Sequence, residues 1–152
     1  MKIYLKSPDN SRIIEFQNAN EIGAGFINWQ PATEQEIVAY LFEKAKELKF
    51  AEIKTKRDEN LNSNIIFDNQ EYKGTENART LFCTRFNLSI FPIEWRLADD
   101  ITWVILDKEK STGLVNAFFN NSSVAYQKES AFLTTLKNAI TIDDINKIIV
   151  NY

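Results

Sequence analysis

The chain has 152 residues, of which 44% are hydrophobic and 26% are charged, enough apolar material for one domain with a sizeable core. Its formal net charge of −3 is too small to favour nucleic acid or an anionic membrane as a partner. The sequence has no histidine and only one cysteine. This composition excludes His-dependent catalytic triads, metal sites built on imidazole and thiolate zinc clusters.

The first segment, residues 1–32, is predicted to be β-rich. Two short strands, Lys2–Lys6 and Arg12–Phe16, are separated by the sequence SPDNS, whose Pro, Asp, Asn and Ser residues are typical of turns. Trp29 lies near the end of this segment, shortly before the first predicted helix. Because tryptophan is enriched at the energetic centres of interfaces, Trp29 is a candidate partner-binding residue.

Residues 33–62 are predicted to form one long helix that links the β-rich segment to the rest of the chain. Thr33 and Glu36 have the spacing of a capping box at its start. An apolar stripe at helical spacing predicts the inner face of this helix: Ile37, Leu41, Ala45 and Leu48. Acidic and basic residues are balanced between Glu43 and Glu59, which indicates a solvated face with ion pairs rather than a nucleic-acid-binding patch.

The third segment, residues 63–152, is predicted to be an α+β domain that starts with a hairpin and a helix. Ile65–Phe67 and Gln70–Lys73 flank a two-residue Asp-Asn turn, and Thr75 is the predicted N-cap of the helix. Cys83 lies on this helix. It is interpreted as a buried filler, since no nearby base or helix start lowers its pKa.

A second hairpin carries two of the three tryptophans. WRLA and ITWVI flank a two-residue Asp-Asp turn that places Ala98 opposite Ile101. The same register places Arg96 opposite Trp103, within reach for the guanidinium to stack on the indole and cover it. One face of the hairpin is predicted to point to the core: Ile93, Trp95, Leu97, Thr102, Val104 and Leu106.

The opposite face of this hairpin admits two interpretations. With Arg96, Ile101, Trp103 and Ile105, it is too apolar to be simply solvated and too charged to be simply core. We favour the interpretation in which a helix of the same chain covers this face. In the other interpretation, Arg96, Ile101 and Trp103 are partner-binding residues, held on the surface for another protein.

A long helix and a short one are predicted to complete the chain. One stripe recurs at alternating spacings of three and four: Val115, Phe118, Ser122, Ala125, Glu129, Phe132, Leu136 and Ala139. The polar run from Asn120 to Ser123 weakens its centre, but one helix packed on its own hairpin is favoured over two helices or a coiled-coil seam. Thr141 and Asp144 predict the cap of the last helix. The predicted fold class is therefore α+β, with short antiparallel hairpins interleaved with helices, including a long N-terminal linking helix and a long C-terminal helix.

The acidic pairs of the sequence are better explained by local structure than by catalysis. The pair at 99–100 suits a turn, the pair at 143–144 suits the first turn of a helix, and Asp58-Glu59 lies in a run of mixed charge. We therefore predict a chain that is not an enzyme and has no catalytic, cofactor-binding or metal-binding residues. The alternative is an enzyme that uses carboxylates. It requires an activity that alanine at Asp99, Asp100, Asp143 and Asp144 abolishes while thermal stability stays intact.

Three stretches carry a family resemblance: IIFDNQEYKGTENAR, EWRLADDITWVIL and AFLTTLKNAITIDDI. Together they resemble a phage and prophage domain family of uncharacterised function, over roughly residues 52–150. In that family an F-x-G-x-x-Y/F hairpin and a helix precede a W-x-x-A-D-N/D-x-x-W/V hairpin and a long helix that ends in A-x-T-x-E/D-E/D-L/I. The chain departs from the pattern at Asn69, where Gly is common, and at Asp100, where Asn is common. Both residues still suit a turn.

The resemblance implies a non-enzymatic role at the phage tail, because members are often encoded near tail-fibre genes or joined to tail-fibre assembly modules. The expected partner is a tail-fibre or baseplate protein, with no nucleic acid and no membrane, and a homo-oligomer stays open. The expected location is the bacterial host cytoplasm during assembly or the virion tail, since MKIYLKSPD lacks a signal-peptide core. An alternative of a different class is a small phage-encoded inhibitor of a host defence complex, which binds a host protein.

Overall fold

The α+β fold is confirmed in a computed structural model that describes residues 2–152. Helices account for 54% of the chain and strands for 16%. The strands form short antiparallel sheets, and two of the helices are long. The strands are β1 (Ile3–Lys6), β2 (Ile13–Phe16), β3 (Gln30–Pro31), β4 (Ile65–Phe67), β5 (Gln70–Tyr72), β6 (Ile93–Arg96) and β7 (Trp103–Leu106). The helices are α1 (Glu34–Leu61), α2 (Glu76–Asn87), α3 (Lys108–Asn138) and α4 (Ile142–Asn146).

The chain forms two compact units. The first contains the chain up to Lys49 together with Ala139–Lys147, and the second contains Phe50–Asn138 and Ile148–Tyr152. Helix α1 therefore begins in the first unit and ends in the second. Compactness alone does not test independent folding, so the predicted division of the chain into residues 1–32, 33–62 and 63–152 stays a prediction.

In the first unit, β1 is the central strand of a three-stranded sheet with the order β2-β1-β3. The two strands predicted at the start of the chain are confirmed, with Tyr4 opposite Glu15. Leu5 is buried, and the Tyr4 ring packs edge-on against Tyr40 of α1 with ring centroids 6.1 Å apart. The sheet thus packs against the N-terminal part of α1.

Hydrogen bonds and ion pairs fix the start of α1. Glu36 N–H donates to Thr33 Oγ1 at 3.3 Å and Thr33 N–H donates to Glu36 Oε2 at 2.8 Å, which confirms the predicted capping box. Lys6 Nζ lies 2.8 Å from Glu36 Oε1. Its hydrogen bond, followed by those from Thr33, lowers the pKa of Glu36 to about 2. Lys44 of α1 likewise pairs with Glu15 of β2 at 2.9 Å, so carboxylates join the helix to two strands.

The predicted inner stripe of α1 is wrong at Leu48, which is exposed. Ile37, Leu41 and Ala45 are partly buried, as the stripe predicts. The stripe ends at Leu48 because the first unit ends at the next residue and the helix acquires new neighbours in the second. A single helical stripe does not describe a helix that belongs to two units.

The β4–β5 hairpin of the second unit has the predicted register, with Phe67 opposite Gln70. Asp68 and Asn69 form its turn with φ angles of 49° and 59°. This left-handed geometry is that of a type I′ turn, which short polar side chains accept. Tyr72, on the inner face of the hairpin, is fully buried.

Gly74 is required where this hairpin passes into α2. A Cβ atom at this position would lie 1.7 Å from the backbone oxygen of Ser63. Thr75 then caps α2, as predicted, because its Oγ1 accepts a hydrogen bond from the Ala78 N–H at 3.4 Å. The close approach of two backbone segments thus fixes where the helix begins.

The core of the second unit lies between the hairpins, α2 and the N-terminal half of α3. Its buried residues are Ile65, Tyr72, Phe82, Ile93, Trp95, Leu97, Leu106, Leu114 and Phe118. The Phe82 ring of α2 packs edge-on against Trp95 and Phe118, with centroid separations of 5.0 Å and 6.0 Å. Such aromatic pairs hold α2 against both a hairpin and α3.

Helix α3 is one continuous helix of 31 residues, which confirms the prediction of a single long helix. Its N-terminal half packs on the hairpins through Leu114 and Phe118. In its C-terminal half the predicted stripe is also buried, at Ala125, Glu129 and Leu136. There Glu129 accepts a hydrogen bond at 2.6 Å from Arg57 Nη1 of α1, so this half does not pack on the hairpin as predicted. The Arg57 guanidinium also lies 5.6 Å from the centroid of the Tyr126 ring. Glu129, which interrupts the apolar stripe, is therefore paired with a cation.

The predicted cap of the last helix is confirmed in the first unit. Thr141 Oγ1 accepts a hydrogen bond from the Asp144 N–H at 3.1 Å, and the Asp144 carboxylate accepts the Thr141 N–H at 3.0 Å. The fully buried Ile145 follows directly, so the cap sets the orientation of this short helix in its unit.

Candidate partner-binding surface

The hairpin formed by β6 and β7, called the Trp hairpin here, has the predicted register, with Arg96 opposite Trp103. Its turn is wider than predicted. The last cross-strand hydrogen bond runs from the Leu97 N–H to the Thr102 carbonyl at 2.8 Å, so residues 98–101 form a four-residue loop. The loop extends the predicted turn at 99–100 by one residue on each side, so the pairing of the two strands is unchanged.

The Asp99 carboxylate closes this loop. It accepts hydrogen bonds from the Thr102 hydroxyl at 2.6 Å and from the N–H groups of Ile101 and Thr102, each at 2.9 Å. The hydroxyl foremost, and then the two N–H groups, lower the pKa of Asp99, because they stabilise its charged form. Asp99 therefore has the structural turn role that its position in the sequence predicts.

The two faces of the Trp hairpin differ in burial. On the inner face Trp95 is 8% exposed and packs into the core. The outer face is defined here by Ile101, Trp103 and Ile105, which are 82%, 61% and 67% exposed. The prediction that a helix of the same chain covers this face is wrong. Helices α2 and α3 place Phe82, Leu114 and Phe118 in the core on the inner face instead.

The predicted stacking of Arg96 on the Trp103 indole is also wrong. Arg96 Nε lies 3.2 Å from Asp100 Oδ1 in an ion pair. Lys73, which follows β5, pairs with the same carboxylate, and its hydrogen bond is the main cause of the lowered pKa of Asp100. The Asp100 carboxylate thus holds the guanidinium in place of the ring, since a full negative charge attracts a cation more strongly than the face of an indole does.

A groove of about 430 Å³ lies between α2 and the Trp hairpin, beside the outer face. Its apolar lining includes Leu81 of α2, the edge of Trp95, and Trp103. Polar groups also line the groove: Lys73, Arg85, Arg96, Glu94 and Asp100. An apolar slot with a few convergent polar groups suits a side chain of a partner protein as its ligand.

Arg85 links the α2 wall of the groove to the hairpin. Its guanidinium lies 5.7 Å from the centroid of the Trp95 ring, and its Nη1 donates to the Glu94 carbonyl at 3.2 Å. With three cations against two carboxylates, the groove has a slight positive charge in a chain whose net charge is −3. An acidic group of a partner is therefore favoured here over a basic one.

Arg96, Ile101 and Trp103 lie together on the Trp hairpin, whereas Trp29 belongs to the first unit. The Trp29 ring is partly buried and packs edge-on against Phe26, with centroids 5.1 Å apart. Trp29 thus has a structural contact in its own unit. Its role as a partner-binding residue stays a prediction.

Three groove residues, Lys73, Leu81 and Arg85, are not among the residues that the sequence predicts for the surface. A signal for two of them exists on α2. Leu81 and Arg85 are four residues apart, so they share one face of the helix, next to the side that carries the buried Phe82. Nothing in the sequence indicates that this face lies beside the Trp hairpin.

Within residues 2–152, no group of three or more His, Cys, Asp or Glu side chains is arranged to hold a metal ion. Partial burial raises the pKa of the Cys83 thiol, because it disfavours the charged thiolate. That the chain is not an enzyme stays a prediction. Separately, none of the helices in this range is both long and apolar enough to cross a bilayer.

A scan against protein-family models, a search of curated proteins and a search of solved structures each return no match to this chain. The resemblance to the phage and prophage domain family therefore stays an expectation. The geometry of the Trp hairpin and its groove is the basis for a functional proposal.

Proposed function

We propose that this chain is a non-enzymatic protein that acts by protein–protein contact through the outer face of the Trp hairpin and the adjoining groove. The observation that carries the proposal is the exposure of Ile101, Trp103 and Ile105 on a hairpin whose other face is committed to the core. Neighbouring large apolar side chains in water are unfavourable unless a partner covers them. A binding role explains why they are there.

Trp103 is the proposed anchor of the contact. Tryptophan and arginine dominate the energetics of interfaces, and here Trp103 has Arg96 opposite it on the neighbouring strand. Leu81 extends the apolar surface into the groove, where an aliphatic or aromatic side chain of the partner fits. Arg85 then has the position to donate to a carboxylate of the same partner.

The proposed setting is the phage tail, and it depends on the resemblance of the three sequence stretches. The partner in that setting is a tail-fibre or baseplate protein, bound in the bacterial host cytoplasm during assembly. The proposal requires no nucleic acid, no membrane and no cofactor. It leaves open whether the chain stays in the virion tail.

The proposal is tested by co-purification of the tagged chain with the tail-fibre and baseplate proteins encoded beside it. Trp103→Ala is compared with the matched control Ile66→Ala, since Ile66 is 78% exposed on β4 but lies outside the outer face. We expect Trp103→Ala to lose the complex and Ile66→Ala to keep it. Equal retention by both variants would contradict the proposed surface.

A second measurement distinguishes a role in tail assembly from the alternative role, inhibition of a host defence complex. The chain is expressed in defence-bearing hosts, and both phage plating and virion assembly are scored. Rescue of plating without any effect on assembly, together with failure of every tail protein to bind, would replace the tail proposal by inhibition of a host defence complex.

A further inference from the structure

The Trp hairpin has two edges, and its hydrogen-bond pattern shows which backbone groups face each edge. Antiparallel pairing alternates between residue pairs that exchange hydrogen bonds and pairs that do not. The bond from the Leu97 N–H to the Thr102 carbonyl fixes this alternation. On β7, the backbone groups of Trp103 and Ile105 therefore point away from β6, toward the open edge.

Groups of the same chain satisfy two backbone groups along the β6 edge. Arg85 Nη1 donates to the Glu94 carbonyl at 3.2 Å. Directly after β6, the Ala98 N–H donates to the Glu71 carbonyl of β5 at 2.9 Å. By the same alternation, the backbone groups of Glu94 and Ala98 point away from β7. Their partners belong to α2 and β5, which therefore lie along this edge.

The β7 edge is not satisfied in this way. Within residues 2–152, no group outside the Trp hairpin forms a hydrogen bond with the backbone of Trp103 or Ile105. The side chains of both residues are also exposed. An edge strand with unpaired backbone groups and large β-forming side chains is a template for a further strand.

We propose that a second copy of this chain pairs with the β7 edge in antiparallel orientation. The twofold axis passes through Val104, which places Trp103 of one copy opposite Ile105 of the other. Both residues turn their backbone groups outward, so each such pair exchanges two N–H···O bonds. The same strand thus supplies both halves of the pairing, as a twofold interface requires.

Two features of β7 favour a second copy over an unrelated strand. The strand, Trp-Val-Ile-Leu, contains no charged residue, so the twofold pairing brings no like charges together across the axis. It also places an aromatic ring beside a β-branched side chain on each side of the axis, which is a favourable cross-strand pair.

The pairing joins two hairpins into one four-stranded sheet, and a two-stranded hairpin is marginal alone. Because side chains point above and below a sheet rather than along its edge, Trp103 and Ile105 of both copies stay on the outer face. The dimer therefore doubles the surface assigned to the partner protein and does not compete with it. The inference does not depend on the tail setting.

Sedimentation velocity of the full chain over a range of concentrations tests the pairing. Ile105→Pro removes the outward N–H and leaves the hydrogen bonds between β6 and β7 intact. Ile66→Pro is the matched control, since it removes an amide from β4 of the other hairpin. We expect a concentration-dependent dimer that Ile105→Pro weakens by about 10-fold or more and Ile66→Pro leaves unchanged.

Hydrogen exchange of the unmodified chain gives a second measurement that does not require any variant to fold. The amides of Trp103 and Ile105 should become protected as the concentration rises, while the Arg96 amide on the opposite edge stays unchanged. A chain that is monomeric at every concentration, or an Ile105→Pro variant that dimerises as tightly as the original, would overturn the proposal.

Protection of the β7 edge that appears only when a tail protein is added would also overturn self-pairing, and would assign the edge to a strand of that protein. If Trp103→Ala keeps tail-protein binding while the dimer forms as described, the proposed partner surface fails and the pairing stands. The two proposals are thereby tested separately.

Discussion

Trp95 and Trp103 lie on opposite faces of one hairpin, and the environments of their side chains are opposite. Trp95 is 8% exposed and packs against Phe82 with Arg85 above its ring. Trp103 is 61% exposed beside an open groove. Residue type is the same, so alternation along the strand and the position of α2 decide which tryptophan stabilises the fold and which is available for binding.

Trp95→Ala should be one of the two most destabilising of the substitutions considered. It removes a buried indole from the centre of the second unit and leaves a cavity, so we expect a loss of about 3–5 kcal/mol in the free energy of unfolding. Denaturant titration at fixed pH measures this loss. A loss no larger than that of Trp103→Ala would break the contrast between the two faces.

The neighbours Leu81 and Phe82 extend the same contrast to α2. Phe82 is fully buried, whereas Leu81 is exposed in the groove. We expect Phe82→Ala to cost about 3–5 kcal/mol of unfolding free energy. Leu81→Ala should change it by about 0.5 kcal/mol or less. Comparable losses in thermal and chemical denaturation would show that Leu81 also belongs to the core.

The loop that joins the two faces should make stability depend on pH through Asp99. Its pKa in the folded chain is below the ordinary value of 3.8, so the charged form stabilises the fold above that value. This contribution is lost as the pH falls through the folded pKa. We expect the difference in unfolding free energy between the original chain and Asp99→Asn to shrink on acidification.

The measurement is a series of denaturant titrations from about pH 6 to about pH 2. Other carboxylates with lowered pKa values, including Asp9, Glu15 and Glu36, titrate in both proteins and cancel in the difference. A difference that does not change with pH would show that Asp99 contributes through its shape alone.

Local features of the fold follow from the sequence because neighbouring residues determine them. The Asp-Asn turn at 68–69 and the capping box of Thr33 and Glu36 were each predicted from a few adjacent residues, and each is confirmed. The register of the Trp hairpin is confirmed for the same reason. The exposure of Leu48 could not be predicted, because it depends on where one compact unit ends.

The candidate site was less predictable than the fold. Arg96, Ile101 and Trp103 could be selected because they alternate along one hairpin. The partners of Arg96 could not, since Lys73 is brought to Asp100 only by the packing of the two hairpins. The exposure of the outer face depends on how α2 packs, because α2 directs Phe82 into the core instead of covering the hairpin. No local pattern in the sequence indicates this packing.

The most direct test of the account is a calorimetric titration of a tail-fibre or baseplate partner with Trp103→Ala and with the control Ile66→Ala. Truncation of an interface anchor of this kind should cost about 2 kcal/mol or more of binding free energy, while the unfolding free energy changes by about 0.5 kcal/mol or less. Ile66→Ala should change neither quantity appreciably. Undiminished binding by a folded Trp103→Ala variant, or a loss of stability as large as that of Trp95→Ala, would contradict the claim that this face exists for contact.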